Sequence, residues 1–183
     1  MTQDERNADF WLFWRGRKRI NNGYLNKVDA RYLLSNVCKI MYKHQIPHWL
    51  VFGTLLGAYR DKDFIEYDTD IDVGFLAEDR ERIRELIRSG VFKKLGISFC
   101  REWDTLYSLR YRNEYLDIVF FESDGECYRN EKLKVQHFQL DEEPSAIEFL
   151  GEIYTTVHDI PAFLVAHYGE NWKERIKNKH AIV

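Results

Sequence analysis

Trp49 to Phe75 reads WLVFGTLLGAYRDKDFIEYDTDIDVGF, and the order of elements that it predicts sets the architecture of the chain. Its apolar start, Trp49 to Phe52, predicts a short strand, and Gly53 to Arg60 predicts a helix that begins at a glycine turn. A polar loop then leads through alternating acids into a second strand, Ile71 to Phe75.

Helices and strands alternate through the rest of the chain as well. Apolar spacing predicts helices at 26–45 and 78–89 and a short helix after Pro161, and it predicts strands at 97–102, 106–112, 115–122 and 132–139. Residues 123–125 predict a turn, and residues 148–157 predict a hairpin or a loop followed by a strand. We therefore expect an α/β or α+β fold with a mixed β-sheet flanked by helices.

The strand-to-helix turn predicts a place for an anion. A helix that starts directly after a strand presents unpaired backbone N–H groups, so we expect those of Gly53 and Thr54, with the Thr54 hydroxyl, to face a ligand. Gly57 belongs to the same helix, and Arg60 ends it, where it either reaches a phosphate or pairs with Asp68. The turn is neither a Walker A loop nor a G-x-G-x-x-G motif, and an ordinary helix cap is the structural alternative.

Three aspartates are the candidate catalytic and metal-binding residues. Side chains alternate along a strand, so Asp70 and Asp72 share one face. Asp117 lies within the most apolar strand, where a carboxylate is costly to bury unless a metal or hydrogen bonds compensate it. Carboxylates in this arrangement suit Mg²⁺. The alternative is that Asp70 and Asp72 cap the loop while Asp117 forms an internal ion pair.

Other polar residues give weaker signals. Arg110 and Arg112, on one face of the strand next to Asp117, either hold phosphate oxygens or are solvated. The six histidines show no metal-ligand spacing, and no serine or cysteine nucleophile stands beside a base in the sequence. Nucleophilic covalent catalysis is therefore not expected.

Composition limits the remaining possibilities. The 183 residues, 45% of them hydrophobic, predict one globular domain at 26–183, preceded by an aromatic and basic segment at 1–25. A net charge of −3 predicts no general nucleic-acid binding. Three widely spaced cysteines predict reduced thiols and no zinc site.

The segment at 10–19 combines five aromatic or leucine residues with four basic ones. It suits contact with an anionic membrane surface or docking on the domain or a partner subunit. No apolar run is long enough to span a bilayer and no signal peptide opens the chain, so we expect a cytoplasmic protein, at the inner face of the membrane if 10–19 binds lipid.

The combined pattern resembles the LicD–fukutin phosphotransferases of the nucleotidyltransferase-fold superfamily. The likeness spans about residues 46–173. Two departures stand out: Glu66 replaces the family's proline, and Thr69 replaces the middle of three acids, on the face away from Asp70 and Asp72. The matching residues are Phe52 to Arg60, Phe64-Ile65 and Tyr67 to Val73, and towards the end Phe149, Gly151, Tyr154, Val157, Phe163-Leu164, Tyr168-Gly169 and Trp172.

The resemblance implies a nucleotidyltransferase-like core that transfers a phospho-alcohol from a CDP-activated donor to a glycan hydroxyl. Phosphocholine, ribitol phosphate and glycerol phosphate are the implied cargoes. Two Mg²⁺ ions held by Asp70, Asp72 and Asp117 are implied, with Asp117 orienting or deprotonating the hydroxyl. Two alternatives stay open: a nucleotidyltransferase that moves NMP from an NTP to a small molecule, protein or RNA, and an inactive nucleotide-fold scaffold.

Overall fold

The computed structural model describes residues 24–123, 128–130 and 144–175. Its helices are α1 (Lys27–Lys43), α2 (Phe52–Leu56, continued by a π-helical segment, Gly57–Asp61), α3 (Arg80–Arg88) and α4 (Ile160–Tyr168). Its strands are β1 (His48–Leu50), β2 (Ile71–Leu76), β3 (Ser98–Glu102), β4 (Leu106–Tyr111), β5 (Glu114–Ser123), β6 (Tyr128–Arg129), β7 (Ser145–Phe149) and β8 (Glu152–Thr156). Short 3-10 turns occur at Ala77–Asp79, Lys93–Leu95 and Glu170–Lys173.

Seven strands form one sheet in the order β3-β4-β5-β2-β1-β8-β7, and β6 pairs with the end of β5. The pairs β2–β5 and β1–β8 are parallel, and the other neighbours are antiparallel. The mixed sheet flanked by helices that the sequence predicts is therefore confirmed. The 148–157 segment forms the end of β7, the turn and β8 of the β7–β8 hairpin.

The core lies mainly between α1 and the sheet. Asn26 caps α1 by accepting hydrogen bonds from the N–H groups of Val28 and Asp29, and the helix buries an apolar stripe that includes Leu33 and Val37. Along β5, Leu116 and Ile118 are fully buried on one face, and Asp117 between them points to the other. The alternation of β5 therefore directs one carboxylate away from the apolar layer.

Several predictions concern residues outside the described ranges. The membrane-binding segment at 10–19, most of the turn at 123–125 and the strand at 132–139 lie there. Cys38 and Cys100 are free thiols, whereas Cys127 is outside the described residues. None of the described helices combines the length and the apolar character needed to cross a bilayer.

Candidate active site

Two of the three predicted aspartates meet across neighbouring strands. Asp72 of β2 and Asp117 of β5 are partners in the parallel register. Register partners in adjacent strands lie on the same face of a sheet, about 4.8 Å apart between strands. The two side chains therefore share one face of the sheet, and their role as site residues stays a prediction.

The register extends this pair into a polar row across four strands. Asp117 pairs with Ser108 of β4, and Ser108 pairs with Arg101 of β3. Asp72, Asp117, Ser108 and Arg101 thus lie side by side on one face, and we call them the polar row. A serine and an arginine extend the two acids into a surface with both signs of charge.

Asp117 has direct partners within the polar row. Its side chain is largely buried, with the residue 8% exposed. The Ser108 hydroxyl donates to Asp117 Oδ1 at 2.5 Å, and Arg101 Nη1 lies 3.5 Å from Asp117 Oδ2. Burying a carboxylate is costly unless hydrogen bonds and opposite charge compensate it, and these two residues supply both. The internal ion pair considered from the sequence is present.

Asp70 lies directly before β2 and is half-buried. Its Oδ1 accepts a hydrogen bond from the Thr69 hydroxyl at 3.2 Å. Among the described residues, no three or more His, Cys, Asp or Glu side chains are grouped closely enough to hold a metal ion. The carboxylate of Asp117 is directed to Ser108 and Arg101 here, so the three-aspartate metal site stays a prediction.

The strand-to-helix turn differs from its prediction in detail. The backbone takes positive φ at Phe52 (48°), whereas Gly53 already lies inside α2. A Cβ on Gly53 would lie 2.8 Å from Asp68 Oδ2, so this glycine allows a close approach of Asp68. The Thr54 side chain is fully buried and its Oγ1 accepts from the Asp72 N–H at 2.9 Å. The prediction of an outward-facing Thr54 hydroxyl is therefore wrong, because this hydroxyl links α2 to β2.

Gly57 and Arg60 also have structural contacts. A Cβ on Gly57 would lie 2.6 Å from the carbonyl oxygen of Asp63, so the loop after the π-helical segment packs directly on this glycine. Arg60 binds Asp61 through Nε and Nη2, and its Nη1 donates to the carbonyl oxygen of Trp172. The predicted ion pair with Asp68 is corrected to one with Asp61, and the hydrogen bonds of Arg60, together with its charge, lower the pKa of Asp61.

The two arginines beyond the polar row separate. Arg110 lies two residues after Ser108 on the same face, and its Nε donates to the Arg112 carbonyl at 2.8 Å. Arg112 has a φ of 52° in the turn after β4 and pairs with Asp29 at 3.0 Å. The prediction that both share one strand face is wrong for Arg112, because the hairpin turn begins there.

Sequence reasoning gave no role to α4, which packs against α2 through Phe52. Burial raises the pKa of Tyr168, and the charges of Asp72, Asp68 and Asp70 raise this pKa further, so its phenol stays protonated near the acids. His167 stacks on Phe52 with ring centroids 4.8 Å apart. In the sequence, Tyr168 stands out only among the C-terminal residues that match the family. No pattern in the sequence indicates Arg101 or Ser108 as site residues.

Known proteins resemble this chain in sequence. A family model described as LicD/FKTN/FKRP, nucleotidyltransferase domain, matches residues 45–152. An uncharacterised protein of Rickettsia typhi is 28% identical over 129 residues, which are 67% of this chain and 36% of that protein. Ribitol-5-phosphate transferase FKTN of Macaca fascicularis is 28% identical over 157 residues, 81% of this chain and 34% of that protein. The chain spans about a third of the length of these relatives.

Solved structures also have a similar fold, and one of them shows the extent of the likeness. The solution structure of the antibiotic-resistance factor ANT(2'')-Ia matches with a TM-score of 0.51 at 16% identity. The match covers 73% of this chain and 66% of that one. At this identity the likeness concerns the fold alone.

Proposed function

Because this chain belongs to the LicD/FKTN/FKRP nucleotidyltransferase-domain family, we propose that it is a phosphotransferase acting on glycans. It moves a phospho-alcohol from a CDP-activated donor to a hydroxyl of a cell-surface or capsular glycan or its precursor. The observation that supports this most is the parallel register of Asp72 with Asp117, within the residues that match the family. The name of the FKTN relatives makes ribitol phosphate the first cargo to test, before glycerol phosphate and phosphocholine.

Two of the three candidate aspartates are already suited to bind a hard cation, and the third is paired with an arginine. Carboxylate oxygens are the ligands that Mg²⁺ prefers, and one or two of them suffice when the substrate supplies phosphates. Asp70 and Asp72 meet this requirement by their chemistry and their position at the start of β2. Asp117 adds a third carboxylate once its Oδ2 is released by Arg101. Bound there, Mg²⁺ would offset the negative charge of the donor pyrophosphate.

Residues of the chain position the two substrates and accept the proton of the acceptor hydroxyl. The acceptor hydroxyl oxygen attacks the phosphorus of the phospho-alcohol, the bond from this phosphorus to the CMP oxygen breaks, and the hydroxyl proton passes to a carboxylate oxygen of Asp117. Ser108, which donates to Oδ1, orients this carboxylate. Tyr168, kept protonated beside the acids, donates a hydrogen bond to a donor phosphate oxygen.

A donor screen tests this function. The purified chain is incubated with Mg²⁺, a glycan acceptor mixture, and CDP-ribitol, CDP-glycerol, CDP-choline or an NTP, and the nucleotide product is identified. Release of CMP from one CDP-alcohol, abolished in Asp72→Asn, is the expected result. Pyrophosphate release from an NTP would instead identify a nucleotidyltransferase. Absence of turnover, with no thermal stabilisation by any nucleotide, would favour the scaffold alternative.

A further inference from the structure

A β-bulge places Arg101 on the face of the acids. Phe99 of β3 pairs with Leu109 of β4, but the next pair is Arg101 with Ser108, so Cys100 is an extra residue in the ladder. A one-residue insertion moves every following side chain to the opposite face of a sheet. Regular alternation would set Cys100 against Ser108 and turn Arg101 away from Asp117. The bulge therefore selects Arg101 for the polar row.

The surroundings of Arg101 allow it to change partners. Its guanidinium lies over the ring of Trp103, with 4.5 Å between the guanidinium carbon and the ring centroid. The same group faces Asp117 Oδ2 at 3.5 Å, longer than a direct charge-assisted hydrogen bond of about 2.8 Å. An aromatic face holds a planar cation without fixing its direction in the ring plane. Arg101 can thus turn on Trp103 without losing that contact.

A cation and Arg101 compete for the same carboxylate oxygen. Ser108 takes Oδ1 of Asp117, and Arg101 faces Oδ2. Two positive charges at one oxygen repel each other, so a divalent cation at Asp117 displaces the guanidinium. The displaced group stays on the face where the phosphates of a donor meet the acids. A guanidinium presents a planar fork of N–H donors that matches phosphate oxygens.

We propose that Arg101 exchanges Asp117 for the pyrophosphate of a nucleoside-diphosphate donor when that donor binds together with a divalent cation. Arg101 thereby neutralises Asp117 before donor binding and contacts the donor afterwards. This exchange rests on the proposed function, since it requires a cation at the aspartates. It makes Arg101 a donor-binding residue that opposes cation binding in the absence of nucleotide and supports nucleotide binding in the presence of cation.

Binding measurements on Arg101→Gln separate these two effects. Mn²⁺ affinity without nucleotide is measured by electron paramagnetic resonance of free Mn²⁺, and CDP affinity with Mg²⁺ is measured by calorimetry. Arg84→Gln is the matched control, because the Arg84 guanidinium also lies over an aromatic ring and pairs with Glu102, on β3. We expect Arg101→Gln to bind Mn²⁺ severalfold more tightly and CDP about tenfold more weakly, while the control matches the unmodified chain.

The outcomes distinguish this inference from the function beneath it. If the unmodified chain binds neither Mn²⁺ nor CDP, the proposed function and the exchange both fail. If it binds both and Arg101→Gln changes neither affinity, or changes Mn²⁺ binding alone, the exchange is overturned and the proposed function stands. If Arg101→Gln does not fold, Arg101→Lys replaces it. Lysine keeps the charge beside Asp117 but lacks the fork, so near-normal Mn²⁺ binding with weakened CDP binding is expected, and unchanged CDP binding would overturn the exchange.

Discussion

Asp72 and Asp117 are register partners on the parallel strands β2 and β5, but Asp117 is buried beside Arg101 whereas Asp72 is half-buried. The two acids therefore differ in what they contribute to stability, although both belong to the proposed active site. Like charges at neighbouring positions of a sheet repel, whereas an ion pair that is mostly buried stabilises the charges that it joins.

Asparagine at each position should reveal this difference. Asp72 is half-buried, so Asp72→Asn should lower the free energy of unfolding by less than about 1 kcal/mol. Asp117→Asn loses the charge opposite Arg101 and should lower this free energy by about 1–3 kcal/mol. Urea unfolding measures both, and each variant should lose turnover in the donor screen. Asp104→Asn, at an exposed position, is the control. A larger loss of stability in Asp72→Asn than in Asp117→Asn would contradict the assignment.

The Thr54 hydroxyl should matter for the fold before it matters for any ligand. Thr54→Val keeps the shape of the side chain but leaves the Asp72 N–H without its acceptor, which should cost about 1–3 kcal/mol of unfolding free energy. Thr54→Ser retains the oxygen and should recover most of this loss. Both are compared by urea unfolding. Equal stability of the valine and serine variants would show that the hydrogen bond contributes nothing.

Gly57 and Gly53 should respond differently to alanine. In Gly57→Ala the new Cβ meets the backbone oxygen of Asp63 at 2.6 Å, and backbone cannot move aside cheaply, so we expect a loss of about 1–3 kcal/mol. In Gly53→Ala the Cβ meets the end of the Asp68 side chain at 2.8 Å, a contact that yields more easily than one with backbone, and alanine favours a helix by up to about 1 kcal/mol. Gly53→Ala should therefore unfold close to the midpoint of the unmodified chain. Similar losses in both variants would refute this distinction.

The elements and the aspartate pair could be predicted because local patterns determine them. The alternation in residues 71–75 and 115–122 directs Asp72 and Asp117 to one face, and parallel pairing of two apolar strands brings them together. Arg101 could not be predicted, because a β-bulge at Cys100 reverses the alternation and leaves no mark in the sequence. The sequence predicts ligand contacts for Thr54 and Arg60, but both side chains bind protein groups instead. These partners, the Asp72 N–H and the Trp172 carbonyl, are distant in sequence and approach only in the folded chain.

His167 should make the fold sensitive to acid. Burial against Phe52 lowers its pKa from 6.5 to about 4, so between these values the unfolded chain binds a proton that the folded chain does not. The free energy of unfolding therefore falls as the pH drops below 6.5, and the full loss is reached near pH 4. We expect this loss to be about 1–2 kcal/mol, because solvent reaches part of the ring and reduces the effect.

His167→Phe keeps the stacking and removes the titration, so urea midpoints measured from pH 8 to pH 4 should fall less steeply than those of the unmodified chain. His44→Gln, at an exposed histidine, should keep the original slope, and a parallel decline in His167→Phe would exclude His167 as the source.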